Sequence, residues 1–290
     1  MSLTLSQLLY RAWQSLGQTE ESKATGGSSS TVVDTALSGK YSDDDLIGGT
    51  IVILRDAGGV GAAPEGEFGV ISAYLDSTTT FTIDTLTASV GSGDRYAIVK
   101  PLYPLETMKE IATLSLQDLG YLPIPDTSLT SAANQTEYTL PVAMKGKDLL
   151  SVQYQSLTDD ADNNQWVSVS NFEVFPALPG DEGLLILPQL PGSRKIKTVY
   201  MGLHPALNSF SDSVSEYIHP RLATLAVVRA ALEWQLTKRG ESAKGTMLAE
   251  RMNKAESDLA TAKVMFPVTT PPRRQGKWFI VDSSSNRPTP

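Results

Sequence analysis

Gly66-Glu-Phe-Gly-Val-Ile-Ser-Ala-Tyr-Leu-Asp-Ser-Thr-Thr-Thr-Phe-Thr-Ile-Asp84 contains two runs rich in β-branched and aromatic residues, Phe68 to Tyr74 and Thr79 to Ile83, parted by a polar cluster. Such runs suit a pleated, half-buried surface, and the cluster between them suits a turn. Outward from this pair the pattern repeats at close spacing in Thr31 to Val33, Thr50 to Leu54 and Arg95 to Val99. Gly, Asp and Ser clusters separate the runs, which is the rhythm of a small antiparallel sandwich or barrel. Residues 24–100 are therefore expected to form a first β insertion. The glycine-rich segment Gly58 to Gly66 falls between two of its strands and reads as a hairpin tip.

Helical periodicity lies on either side. Leu5, Leu8, Leu9, Ala12, Trp13 and Leu16 recur at steps of three and four, Thr4 with Gln7 matches a capping box, and Gly17 supplies a stop. Pro104 suits a first helical turn, Leu105, Met108, Ala112, Leu116 and Leu119 make a stripe, and Gly120 ends it. Strand-like runs resume at Glu137 to Leu140, Leu149 to Tyr154, Gln165 to Val169, Phe172 to Phe175, Gly183 to Leu187 and Lys195 to Tyr200, a second β unit over 134–203. Two more helices follow. His219-Pro220 opens one with Leu222, Leu225, Val228, Leu232 and Leu236 on a single side; Ser242 can cap the next, whose Leu248, Met252, Ala255, Leu259 and Ala262 alternate by four and three. A short turn between them implies an antiparallel hairpin.

The fold class expected is α+β. Residues 1–17, 101–121 and 213–266 would form a helical bundle (N-terminal helix, central helix, C-terminal hairpin) with two inserted small antiparallel β-barrel or sandwich units. Residues 267–290 would be an extended tail, stiffened by Pro271-Pro272 and carrying Arg273, Arg274 and Lys277 ahead of Trp278, Phe279, Ile280 and Val281. Those apolar residues favour docking of the tail on a partner.

Composition narrows the chemistry. The 290 residues include no cysteine and two histidines, His204 and His219, which excludes disulfide frameworks, thiolate metal sites and cysteine nucleophiles. No apolar run approaches the ~20 residues of a membrane span, and Met1 to Gly17 does not resemble a signal peptide, so a soluble protein made in a cytoplasm is expected. Charge is uneven: residues 1–220 carry 12 Lys and Arg against 26 Asp and Glu, and residues 221–290 carry 12 against 6, so a formal −14 and +6 give the net −8. Such asymmetry concerns partners and assembly rather than fold.

Catalytic motifs are missing. Pro64 stands where a nucleotide fingerprint needs its third glycine, and there is no phosphate-cradling Gly-Lys-Ser or Gly-Lys-Thr, Gly-x-Ser-x-Gly elbow or His-Glu-x-x-His helix. Asp43-Asp44-Asp45 reads as a solvated turn. Asp159 to Asn164 has the alternating oxygens of a calcium loop without its central glycine or terminal glutamate. No enzymatic activity, cofactor or metal is expected. The basic excess lacks interleaved aromatics, so sequence-specific nucleic-acid binding is not expected either.

The order of helix, β module, helix, second β unit, helical hairpin and tail resembles head-to-tail adaptor (connector) proteins of tailed bacteriophages. The resemblance rests on Ala24-Thr-Gly-Gly-Ser-Ser-Ser-Thr-Val-Val-Asp34, Asp44-Asp-Leu-Ile-Gly-Gly-Thr-Ile-Val52, Gly66-Glu-Phe-Gly-Val-Ile71, Thr79-Thr-Phe-Thr-Ile-Asp84 and Gly93-Asp-Arg-Tyr-Ala-Ile98, similar to a β module of phage neck and tail proteins. Tyr200-Met-Gly-Leu-His-Pro-Ala-Leu207 with the hairpin to Phe266 looks like the carboxyl part of many adaptors. The resemblance covers most of the chain in pattern, through degenerate motifs.

It implies a structural virion protein, commonly a dodecameric homo-oligomeric ring, between the portal protein and the next tail or neck component. DNA would pass through its channel without specific binding. Helix residues Leu222, Leu225, Leu232, Leu236, Met252 and Leu259 would pack the ring wall, and Arg273, Arg274, Lys277, Trp278, Phe279 and Ile280 would bind the portal. Minimal adaptors are little more than a bundle, so two β units leave the neck position open. The alternative is an externally exposed neck or tail decoration, a fibre-anchoring or glycan-binding module using Tyr74, Tyr96, Tyr154 and Trp166. A third is an enzyme with an unfamiliar carboxylate site.

Overall fold

The computed structural model describes residues 3–144, 147, 149–156, 165–175, 183–239 and 247–268, and the backbone of 277–278. Two compact units emerge: Met1–Gly120 with His204–Val268, and Tyr121–Leu203 with Thr269–Pro290.

The first unit is built on one seven-stranded antiparallel sheet. Its strands are β1 (Thr19–Lys23), β2 (Gly26–Ser28), β3 (Thr31–Val33), β4 (Thr50–Arg55), β5 (Phe68–Leu75), β6 (Thr80–Ile83) and β7 (Arg95–Val99), in the order β1-β7-β4-β5-β6-β3-β2. β1 and β2 stand at opposite ends of that order, yet only Ala24 and Thr25 separate them in sequence. The sheet must therefore roll until its ends meet. The link serves both ladders: Ala24 N still bonds Asp94 O at 2.9 Å, beyond the end of β7, and Thr25 N already bonds Val33 O of β3 at 2.7 Å. Val32, Ile51, Ile53, Ile71, Tyr74, Phe81, Tyr96 and Ile98 fill the interior.

Four α-helices complete the description: α1 (Leu5–Ser15), α2 (Leu105–Gln117), α3 (Pro220–Arg239) and α4 (Met247–Met265). The Thr4 hydroxyl accepts from Gln7 N at 3.3 Å while the Gln7 side chain accepts from Thr4 N, so α1 begins in a capping box. Leu5, Leu8, Leu9, Ala12 and Trp13 are buried, and Trp13 meets Phe68 of β5 edge-on at 5.8 Å. α3 touches α1, α2 and α4. His219 caps α3 by accepting from Arg221 N at 3.2 Å and stacks on Phe266, 3.9 Å away beyond the far end of α4, which makes the α3–α4 pair antiparallel.

The second unit holds two four-stranded sheets. β8 (Leu122–Thr130), β10 (Leu149–Gln155), β11 (Trp166–Val169) and β14 (Lys195–Gly202) form the order β11-β10-β14-β8. β9 (Glu137–Thr139), β12 (Glu173–Phe175), β13 (Leu184–Ile186) and β15 (Lys277–Trp278) form β15-β12-β13-β9. Tyr138, Leu149, Val152, Phe172, Val174, Leu185 and Ile196 share one apolar core.

The expected helical bundle with two small β insertions is thus overturned: among the described residues three sheets dominate and the four helices are a minority. The misreading has a physical source in three strands. β1, Thr-Glu-Glu-Ser-Lys, is polar throughout and shows no strand pattern; its stability comes from backbone pairing with β7, Thr19 opposite Val99 through Lys23 opposite Arg95. β2 is Gly-Gly-Ser and carries no apolar signal. β8 contains Pro123 and Pro125, which mask it, but it is an edge strand where a missing N–H costs nothing. Counting β1 and β2 extends an inserted module into the framework of the first unit, and counting β8 gives one sheet of the second unit its fourth strand.

Candidate functional site

The buried polar groups of the first unit are structural. Asp34, wholly buried, accepts from the Ser22 hydroxyl at 2.5 Å, the Tyr96 hydroxyl at 2.8 Å and Ala36 N at 2.9 Å. Burial, and then that carboxylate, push the Tyr96 hydroxyl pKa far above its usual value, so it stays a proton donor. Asp43, Asp44 and Asp45 accept from the backbone N–H groups of Asp76, Tyr74 and Ser42, so the acidic triplet orders turns. Among the described residues no three His, Cys, Asp or Glu converge as metal ligands. The calcium-like segment Asp159 to Asn164 lies outside them.

Both histidine rings are engaged by backbone groups. His204 is 2% exposed; its Nδ1 is 2.7 Å from Pro205 O, and its Nε2 accepts from Ser215 N at 3.0 Å. The ring is therefore the neutral Nδ1–H tautomer, and burial holds its pKa below the usual histidine value. It ties the 203–219 loop together, while His219 serves as the α3 cap.

Among the described residues, α2, α3 and α4 leave an incompletely buried surface. α4 alternates by four and three, but only Leu248, Ala255 and Ala262, one residue per heptad, are buried. The intervening Met252 and Leu259 are half-buried, and Met247, Val264 and Met265 are 79%, 82% and 61% exposed. On α3, Leu222 and Leu232 are buried whereas Leu225 and Leu236 are half-buried. Beside this incomplete stripe a cleft of about 350 Å3 opens between the three helices. Ser115, Leu119, Ala226, Ala230, Leu259 and Ala260 give it a small-residue, apolar lining, and its charges balance, Asp118 and Glu256 against Arg229 and Lys263. Leu114 of α2 is 60% exposed on its own account. The apolar residues of this lining and its balanced charges suit contact with another protein surface.

The tail residues have a mixed placement. Lys277 and Trp278 pair in parallel with β12, Lys277 opposite Glu173 and Trp278 opposite Val174, so part of the expected portal-binding segment completes a sheet of its own chain. Arg273, Arg274, Phe279 and Ile280 lie outside the described residues. Tyr74 and Tyr96, expected at the surface in the glycan-binding alternative, are wholly buried, and Trp166 is half-buried with Lys197 Nζ 5.4 Å over its ring.

Sequence reasoning missed one grouping. Lys23, Arg55 and Arg95, distant in sequence, line a notch of about 200 Å3 at one end of the seven-stranded sheet. Only cross-strand register brings them together, and spacing along the chain carries no trace of it. Compared with known proteins, the chain matches no family model and no curated sequence.

Proposed function

We propose that the chain is a structural virion protein, a head-to-tail adaptor that assembles as a homo-oligomeric ring between portal and tail and continues the DNA channel. The observation that carries this reading is α4, a nineteen-residue helix with one buried position per heptad and a second stripe left at the surface beside a cleft whose charges balance. A helix so placed gains little from its own unit, and burial of Met252, Leu259, Val264 and Met265 against a second copy would supply what is missing. Identical copies can do this head-to-tail, and head-to-tail contacts close into rings when the rotation permits. The chain's acidic balance supports passage of DNA without adhesion, since phosphates bind basic surfaces.

The test is the mass and shape of the purified full-length chain, alone and mixed with a portal ring. Closed rings with a central hole, or attachment of this chain to portal rings, are expected. A monomer at every concentration that ignores the portal would end the proposal. The decoration alternative keeps only Tyr154 and Trp166 of its four aromatics, because Tyr74 and Tyr96 are core residues.

A further inference from the structure

The first unit carries a cationic notch that the ring proposal neither uses nor requires. Across neighbouring strands β1, β7 and β4, Lys23 stands opposite Arg95 and Arg95 opposite Arg55. Three positive side chains thus lie in one row of a sheet, in a region where 220 residues contain only 12 Lys and Arg. Like charges directly opposite each other weaken a sheet, so the row costs stability.

The backbone is bent to create it. Ile53 pairs with Tyr96 and Arg55, two residues on, pairs with Arg95, only one residue away, so a bulge at Leu54 shifts the register. Without that bulge Leu54 would face Arg95, and the Arg55 side chain would leave by the opposite face.

Among the described residues the neighbouring acids pair with only one cation of the row, Arg95. Glu21 bonds Arg95 Nη2 at 2.7 Å with one oxygen and accepts from the Tyr10 hydroxyl at 2.5 Å with the other. Asp94 is 1% exposed and committed to backbone, accepting from Ala57 N at 2.8 Å and Gly91 N at 2.7 Å. Asp56 accepts from Gly58 N at 2.5 Å. Lys23 and Arg55 have no side-chain ion pair or hydrogen bond among the described residues. Asp94 instead fixes the walls, because Ala57 and Gly93 complete the lining. Gly93 has φ +95°, and a Cβ there would stand 3.4 Å from that of Ala57, so glycine keeps this side open.

We propose that this notch is a binding site for a phosphate-type oxyanion. Its volume is several times the roughly 30 Å3 share of a water molecule, enough for one phosphate group with part of its hydration. Arg95, held by Glu21, presents a pre-oriented fork; Arg55 can add a second, and Lys23 a point charge. The group can be free or belong to a nucleic-acid backbone, and the two sources are separable by experiment.

The full-length protein is titrated by calorimetry at fixed ionic strength with inorganic pyrophosphate and, separately, with a short single-stranded DNA. The same titrations use Lys23→Ala/Arg55→Gln, which leaves the Glu21–Arg95 pair in place. We expect saturable pyrophosphate binding weakened about tenfold or more in the variant. Without ligand, the variant should melt no lower than the parent, because the repulsion within the row is relieved. DNA binding that is tighter than pyrophosphate binding and lost in the variant identifies a backbone phosphate; pyrophosphate binding alone identifies a free one. Equal binding by parent and variant, or no saturable binding of either probe by the parent, would overturn the proposal. A variant that melts well below the parent would do so too, by showing the row to be structural.

Discussion

At the scale of the residue, Asp34 and His204 show how the fold spends its buried polar groups. Asp34 joins β1 and β7 by accepting from Ser22 and Tyr96. Asp34→Ala leaves two hydroxyls unpaired inside the first unit and should lower stability by about 1–3 kcal/mol, read as a shift of the urea midpoint. His204 sets a pH dependence. Burial lowers its pKa in the folded state more than the Pro205 carbonyl raises it, so the folded chain binds fewer protons there than the unfolded chain. Its contribution is then complete above the ordinary histidine value of 6.5 and is lost as pH falls below that value. The urea midpoint should drop between about pH 7.5 and about pH 5.5, and His204→Gln should flatten that slope even if it lowers the midpoint overall. An unchanged slope in the variant would show that another group titrates.

At the scale of the element, what was legible in the sequence followed from how each element is stabilised. α1 could be read from its apolar stripe and its Thr4 cap because both are local. Strands β4, β5 and β7 could be read from Ile51, Ile53, Ile71 and Tyr96 because burial writes itself into residue type. Prolines hide β8, although its Ile124 and Leu129 pack on the core of the second unit, and β1 and β2 could not be read because backbone pairing holds them and pairing leaves no mark on side chains. The row of Lys23, Arg55 and Arg95 was hidden for the same reason. α4 lies between these cases: its alternating pattern is plain, but the sequence does not show that half of the stripe lacks a partner. Leu259→Asp should leave the circular dichroism and the monomer melt nearly unchanged, since Leu259 is only half-buried, while abolishing self-association. Ala255→Leu, at a buried position facing α3, should instead cost about 1–3 kcal/mol by overpacking. Removing residues from 277 onward uncovers the β12 edge, and the truncated chain should aggregate more readily in a light-scattering assay, as exposed edges do.

At the scale of the whole molecule, the charge asymmetry gains an address. α4 is neutral, with Arg251, Lys254 and Lys263 against Glu250, Glu256 and Asp258; the excess sits on α3, where Arg221, Arg229, Lys238 and Arg239 oppose Glu233, and in the last 24 residues. In the proposed assembly the neutral α4 suits contact between like copies and the basic α3 and tail suit an acidic partner. Attachment to the portal should therefore weaken as salt rises, whereas contact between copies should not. The most direct measurement is the mass distribution of the purified chain by native mass spectrometry, paired with images of the same sample. The account predicts closed rings of one stoichiometry that Leu259→Asp converts to monomers. A parent chain that remains monomeric at all concentrations, or rings untouched by that substitution, would contradict it.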